Sequence, residues 1–149
     1  MQDKKTPVFL VATANDVSQL PPELLRKGRW DEMFFVDLPN EEERQAIWAI
    51  QIQKHCRNPS DFDTIQLSRM TEGFTGSEIE SACVEGLYMG FDQDREPSEL
   101  DLAQVINSFV PLSKLMSEPI DGLRAWAKGR ARLATSAATL TPKARKLAA

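Results

Sequence analysis

The hydrophobic pattern changes period at Leu38–Asn40, and this change limits the folds that the chain can adopt. Before it stand two short, continuous apolar runs, Val8–Thr13 and Met33–Val36. Such runs are typical of strands that are buried on both faces of a parallel sheet. After it, apolar residues recur at helical spacing. The pattern predicts a piece of an α/β domain, residues 1–39, followed by a helical domain, residues 40–134.

Helix boundaries are marked by caps and breakers. Two residue pairs have capping-box spacing, Asn40 with Glu43 and Thr75 with Glu78. In a capping box, the side chain of each residue accepts a hydrogen bond from the backbone N–H of the other. A short helix is also expected after Pro21 and Pro22, since proline is tolerated in a first turn. The predicted helices are Glu23–Arg26, Asn40 to about Cys56, Phe62–Met70, one opened by Thr75 and reaching Phe91, one between Ser98 and Pro111, and Glu118 to about Ala134.

Two glycines, Gly86 and Gly90, fall inside the predicted helix that Thr75 opens. Each costs about 1 kcal/mol of helix stability relative to alanine. We interpret them as places where another helix packs closely.

Charge and cysteine content exclude several classes of protein. The net charge of −4 argues against a general nucleic-acid binder, since basic residues concentrate only in Lys128–Lys146. Residues 135–149 are interpreted as a flexible basic tail. Cys56 and Cys83 lack metal-ligand spacing and are predicted to be buried, reduced thiols, which fits a reducing compartment. No apolar run reaches the roughly 20 residues that cross a bilayer, and no signal peptide is recognised, so a cytosol-like location is expected.

Polar residues follow the first apolar run in a suggestive order. Asn15 comes at its end, and Arg26 and Arg29 lie on the next short helix and turn. Ligands bind at the carboxyl ends of parallel strands, and arginine suits phosphate because its guanidinium fork is planar and always charged. The spacing alone is a weak signal: Asn15 could cap a turn, and both arginines could be solvated.

Three stretches, VFLVATAND, LPPELLRKGRWDEMFFVDLPNEEER and EGFTGSEIE, resemble the second half of an AAA-type ATPase module in order and spacing. The resemblance covers about residues 7–107. The stretches LRKGRWDEMFFVDLP, GLYMGF, SFVPLS and WAKGRARLA are similar to AAA proteins of algal chloroplast genomes and cyanobacteria. This resemblance implies the C-terminal strands of a P-loop-type sheet followed by an all-α AAA lid bundle.

The resemblance also implies roles for individual residues. Asn15 matches sensor 1, which positions the attacking water. Arg26 and Arg29 match arginine fingers that reach into the nucleotide site of the next subunit and stabilise the transferring phosphoryl group. Gly76 and Ser77 match the sensor-2 position, where a helix N-terminus lies against the nucleotide.

One position departs from the family pattern. Many members carry a histidine in the first lid helix that touches the ribose or base, and here that position is Gln51. Gln51 is kept as a candidate nucleotide contact. The only histidine, His55, lies one turn later and is interpreted as a surface residue.

The sequence lacks the half of the module that grips phosphate. It has no G-x-x-x-x-G-K-[ST] loop and no paired acids after an apolar run, so no metal ligands are assigned. Phosphoryl transfer depends on those groups, and this chain alone is therefore predicted not to hydrolyse ATP. ATP with Mg²⁺ is expected only in a longer protein, of which this chain is interpreted as a piece.

The family topology places a third strand, which this chain lacks, between the runs at Val8 and Met33. Residues 1–38 are therefore expected to pack poorly on their own, because strands without partners expose backbone and apolar groups.

Further expectations concern partners and alternative functions. The resemblance implies a homo-oligomeric ring, expected to be hexameric, in which Arg26 and Arg29 contact the neighbour; the protein substrate is unknown. One alternative is a non-catalytic module that joins or regulates AAA rings. Another is a small helical nucleic-acid-binding domain that uses the basic residues Lys128, Arg130, Arg132, Lys143, Arg145 and Lys146. A plastid-encoded protein would lie in the chloroplast stroma.

Overall fold

The computed structural model describes residues 8–26 and 28–135, except for the side chain of Ser18. The predicted tail lies outside these ranges from residue 136 onward. Within them the helices are α1 (Glu41–Lys54), α2 (Thr64–Met70), α3 (Gly76–Asp92), α4 (Glu99–Ser108), α5 (Leu112–Leu115) and α6 (Ser117–Ala127). Two short strands, β1 (Phe34–Phe35) and β2 (Arg132–Leu133), and 3-10 turns at Val17–Gln19 and Pro59–Asp61 complete the set.

The chain divides into two compact units, residues 1–33 and 34–149. The domain boundary predicted between residues 39 and 40 refers to the two domains of a complete AAA module, and it stays a prediction. None of the helices in the described ranges is long and apolar enough to cross a membrane.

In the first unit, the strand predicted at Val8–Thr13 is wrong: these residues have no regular structure. Phe9 is 93% exposed and Val11 72% exposed. A strand is held by hydrogen bonds to a neighbouring strand, and none pairs with this run in the described part of the chain. The exposure agrees with the expectation that this part packs poorly without the missing strand.

The short helix predicted at Glu23–Arg26 is also wrong. The chain makes turns there instead, with the N–H groups of Leu24 and Leu25 donating to the carbonyls of Pro21 and Pro22. Four residues are too few to repay the cost of nucleating a helix without packing partners.

The second unit begins with the two-stranded sheet. The strand predicted at Met33–Val36 is confirmed only for Phe34–Phe35, which pair in parallel with Arg132 and Leu133. The partner lies where the last helix was predicted to continue, so the predicted end of that helix at Ala134 is wrong. The helix ends at Ala127 because Gly129 adopts a left-handed conformation, φ 79°, that stops helices.

Both predicted capping boxes are confirmed. At α1, the Glu43 N–H donates to Asn40 Oδ1 and the Asn40 N–H donates to Glu43 Oε2, both at 2.9 Å. At α3, the Thr75 N–H donates to Glu78 Oε2 at 2.7 Å, and the Glu78 N–H donates to Thr75 Oγ1 at 3.2 Å. These local bonds fix where α1 and α3 begin.

The core lies among α1–α4. Its largest fully buried apolar side chains are Trp48, Ile52, Ile79, Cys83 and Leu102. The indole of Trp48 donates to Thr71 Oγ1 at 3.2 Å, so the one polar atom of this large side chain is satisfied inside the core.

The prediction that another helix packs closely against the α3 glycines is confirmed at Gly86, where the neighbour is α4; at Gly90 the neighbour is the loop before α4. A Cβ added at Gly86 would stand 2.4 Å from Leu102 Cδ2, and one at Gly90 would stand 2.7 Å from backbone atoms of Pro97. Neither position has room for a methyl group.

The two cysteines differ. Cys83 is buried, as predicted. The prediction for Cys56 is wrong, because Cys56 is exposed. Cys56 has φ 59° just beyond α1, and the following N–H, of Arg57, donates back to the Ile52 carbonyl at 3.1 Å. That bond pattern ends helices and turns the Cys56 side chain toward solvent.

Candidate functional site

Asn15, Arg26 and Arg29 all belong to the first compact unit, and all three side chains are exposed. Arg26 and Arg29 lie on one turn, closed by the Arg29 N–H donating to the Arg26 carbonyl at 3.3 Å. An arginine that reaches another molecule has to be exposed, and both meet that condition. Their predicted roles stay predictions.

Gly76 and Ser77 form the first turn of α3 in the second unit. The start of this helix is held from two sides by Glu78. One carboxylate oxygen accepts from the Thr75 N–H and hydroxyl, at 2.7 and 2.9 Å, and the other accepts from the Leu112 N–H at 2.6 Å. The helix N-terminus is therefore tied to the start of α5 as well as capped.

The α3 N-terminus lies beside α1. The position of a Cβ on Gly76 would be 3.9 Å from Ile47 Cδ1. Further along both helices, Lys54 forms an ion pair with Glu80. Gln51 lies between Ile47 and Lys54 on α1, one turn from each, so residues four apart place it on the same face. Its spacing from these two residues therefore places Gln51 on the face of α1 that approaches α3.

Gln51 has an unusual environment. Its Oε1 is buried and accepts no hydrogen bond within the described residues. Buried polar atoms in proteins nearly always have a partner, and an acceptor without one costs about 1–3 kcal/mol. An exception of this kind at a predicted ligand position indicates an acceptor that a bound molecule could use.

His55 is half-buried, so its prediction as a surface residue is wrong. Its Nε2, like Gln51 Oε1, is buried without a hydrogen-bond partner in the part of the chain that the structure describes. Gln51 lies on α1 and His55, four residues later, caps its C-terminus. This spacing is the sequence signal that could have linked His55 to Gln51. Sequence reasoning missed it because only the family position was compared.

The ionisable groups near this surface do not suggest a nucleophile. Burial, together with the charge of Glu80, raises the pKa of the Cys83 thiol to about 11, so the thiol stays protonated at neutral pH. The hydrogen bond from Lys54, with its charge, lowers the pKa of the Glu80 carboxyl. Among the described residues, no group of three His, Cys, Asp or Glu side chains could hold a metal ion.

Curated proteins similar to this chain belong to the AAA class. It is 45% identical over 137 residues to the AAA domain-containing protein ycf46 of Pyropia yezoensis, and 44% identical over 138 residues to that of Trieres chinensis. It is 36% identical over 101 residues to the proteasome-activating nucleotidase of Saccharolobus solfataricus, across 67% of this chain and 25% of that protein. No family model matches the chain.

The two ycf46 matches cover 91% of this chain but only 28% of each relative. The chain therefore spans less than a third of the length of the curated relatives that it matches. The predicted resemblance to AAA-type ATPases is confirmed, including its closer match to the algal subgroup.

Proposed function

We propose, on the premise that this chain is AAA-type sequence, that it supplies the sensor, arginine-finger and lid elements of a longer ATPase. Asn15 orients the attacking water, Arg26 and Arg29 act on the nucleotide of a neighbouring subunit, and the start of α3 contacts the nucleotide of its own subunit. The observation that carries this proposal is the buried acceptor Gln51 Oε1 on the surface where α1 meets the α3 N-terminus.

The start of α3 is suited to an anionic ligand. The first N–H groups of a helix have no acceptor within the helix, and the helix dipole places partial positive charge there. Gly76 has no side chain to keep a ligand away from those groups, and its capping box holds the turn in place. These features support a phosphate or ribose contact at Gly76 and Ser77.

Gln51 fits the sugar or base of the same ligand. Its oxygen can accept from a ribose hydroxyl or from the exocyclic amine of adenine, which would give this buried atom the partner that it lacks. Bound ATP with Mg²⁺ would supply the transferable phosphoryl group. The protein residues named here bind and orient it.

The arginines act in trans. Both are exposed on a surface turn of the first unit, so a neighbouring subunit can receive them. Fingers of this kind accelerate hydrolysis about 10³–10⁵-fold in related NTPases, because they neutralise charge that develops on the phosphoryl oxygens. In the complete ring, replacement of Arg26 or Arg29 by alanine is expected to abolish hydrolysis and to leave ATP binding largely intact.

The matched test of the α1–α3 surface compares Gln51→Ala with Gln53→Ala in the complete protein. Gln53 is an exposed glutamine on the same helix, so it controls for loss of an amide. We expect Gln51→Ala to weaken binding of a fluorescent ADP about fivefold to tenfold, the effect of one hydrogen bond, and Gln53→Ala to leave it unchanged. Equal affinities for the wild type and Gln51→Ala would remove the support for a nucleotide contact on this surface.

The inactivity proposed for this chain alone has its own test. Purified chain with Mg²⁺ and ATP is expected to release phosphate no faster than a buffer blank, because it has no loop to hold the phosphates. Turnover above the blank, in a preparation whose Arg26→Ala variant loses it, would contradict the proposal.

A further inference from the structure

Residues 34–40 join the first compact unit to α1, and we name them the connector. They are attached to the helical unit at three places. The first is the sheet, in which Phe34 and Phe35 pair with Arg132 and Leu133. The Ala134 N–H extends this pairing by donating to the Phe35 carbonyl at 2.9 Å. The connector thus has backbone bonds to the segment that follows α6.

The second attachment is an ion pair with α6. The Arg124 Nε donates to both carboxylate oxygens of Asp37, at 3.0 and 2.9 Å, and its Nη2 donates to Oδ1 at 2.9 Å. The Leu38 N–H donates to the same carboxylate at 2.7 Å. Partial burial alone would raise the pKa of Asp37, but the bonds from Arg124 and Leu38 outweigh it and lower this pKa. A planar fork bound to both oxygens fixes orientation as well as distance.

The third attachment is a buried arginine of α1. Arg44 is 7% exposed, and its Nη1 donates to the Pro39 carbonyl at 2.8 Å while its Nε donates to the Ser68 carbonyl at 2.9 Å. It therefore bonds the end of the connector to the end of α2. A buried guanidinium remains charged and must have such acceptors, so this bond resists opening.

From these contacts we propose that Arg124 is a positioning residue that acts through Asp37. Together with β2 and Arg44, it fastens the connector to the helical unit, so that the connector moves with the helices. The segment after α5, which contains α6 and β2, acts as a strap that transmits movement of the helices to β1. This inference goes beyond the proposed function, because it requires no nucleotide.

Amide hydrogen exchange of the 149-residue chain, measured by NMR, tests the strap. The reporter is the Ala134 amide, which is bonded to the connector. The reference is the amide of Ile79 in the core helix α3, which donates to the Thr75 carbonyl at 3.1 Å. In Arg124→Gln we expect Ala134 to exchange about fivefold to tenfold faster, as local opening becomes easier, and Ile79 to exchange as in the wild type.

Two comparisons give the test its specificity. Arg130→Gln is the matched control: Arg130 is exposed in the same segment and lies over the Trp126 ring at 5.9 Å, and its loss is expected to leave Ala134 unchanged. Asp37→Asn should reproduce Arg124→Gln, and the double variant should exchange no faster than either one, because both remove one shared contact.

The inference is overturned by unchanged exchange at Ala134 in Arg124→Gln, or by an equal effect of Arg130→Gln. It is also overturned when Ile79 accelerates by the same factor as Ala134, because the ion pair would then stabilise the whole unit. A variant that fails to fold also loses protection at Ile79, and this result likewise overturns the inference.

Discussion

The packing of α3 against α4 can be measured by adding one methyl group at a time. Gly86→Ala and Gly90→Ala place a Cβ where the neighbouring chain already lies, whereas Gly122→Ala on α6 places one where nothing lies within 4 Å. All three glycines are helical, so each substitution gains about the same intrinsic helix propensity, 0.5–1 kcal/mol. The differences between the variants therefore report packing.

The contacts set the expected order. At Gly90 the added Cβ meets the backbone N and Cα of Pro97 at 2.7 Å and the Arg95 carbonyl oxygen at 3.1 Å, and backbone atoms cannot rotate away. At Gly86 the nearest atom, Leu102 Cδ2 at 2.4 Å, ends a flexible side chain, although Leu102 Cα follows at 3.2 Å. Overpacking costs about 1–3 kcal/mol, and Gly90 belongs at the upper end.

After the propensity gain is subtracted, Gly90→Ala should lower the free energy of unfolding by about 2 kcal/mol and Gly86→Ala by about 1 kcal/mol. Gly122→Ala should raise it by about 0.5–1 kcal/mol. Urea unfolding of the 149-residue chain, followed by far-UV circular dichroism, gives the free energy of unfolding of all three variants, analysed with one shared m-value. A Gly90→Ala protein at least as stable as the wild type would refute the reasoning, as would loss of stability in Gly122→Ala.

Three further predictions concern single side chains. Thr75→Ala removes one half of the α3 capping box and should lower the free energy of unfolding by about 1 kcal/mol in urea, whereas Thr75→Ser should retain most of it. Asp101→Asn should cost about 2 kcal/mol near neutral pH, because the buried carboxylate accepts charged hydrogen bonds from Arg95. The bonds from Arg95 lower the pKa of Asp101 in the folded state. The contribution of Asp101 to stability is therefore complete above the unfolded-state pKa of about 3.9 and is lost as the pH falls toward the folded-state pKa. A cost of Asp101→Asn that disappeared on raising the pH would contradict this reasoning. Iodoacetamide should label exposed Cys56 in the native chain and label Cys83 only after unfolding, as peptide mass spectrometry would show.

The sequence predicted the features that short-range chemistry controls. Asn40 and Thr75 open helices because their side chains and a glutamate three residues later satisfy backbone groups of the same turn. Gly86 and Gly90 also indicated a close neighbour. A glycine inside a helix costs stability, and this cost is explained when the missing side chain leaves room for a neighbouring segment. Each of these signals lies within a few residues of the structure that it determines.

The features that the sequence did not predict depend on distant or missing partners. The pairing of Phe34–Phe35 with Arg132–Leu133 joins segments almost a hundred residues apart, and nothing in either dipeptide specifies the other. Val8–Thr13 has the composition of a buried strand, but composition cannot form a strand without a neighbour to accept its hydrogen bonds. In the candidate site, the family position identified Gln51. The spacing of four residues could have linked His55 to it, but the burial of His55 Nε2 follows from packing that the spacing does not specify.

The residues proposed to act on nucleotide are held in place by different means. The start of α3 is fixed by Glu78, which bonds Thr75 and Leu112, and by the core that α3 shares with α1. The turn carrying Arg26 and Arg29 is closed by hydrogen bonds between residues three apart. Because local stability follows buried contacts, the proposed nucleotide contact at α3 should be preorganised in this chain, whereas we expect the proposed arginine fingers to need the rest of a sheet and a neighbouring subunit to hold them. Under the proposed function, binding and hydrolysis should therefore be separable: nucleotide contact would depend on α1 and α3, and turnover would depend on assembly.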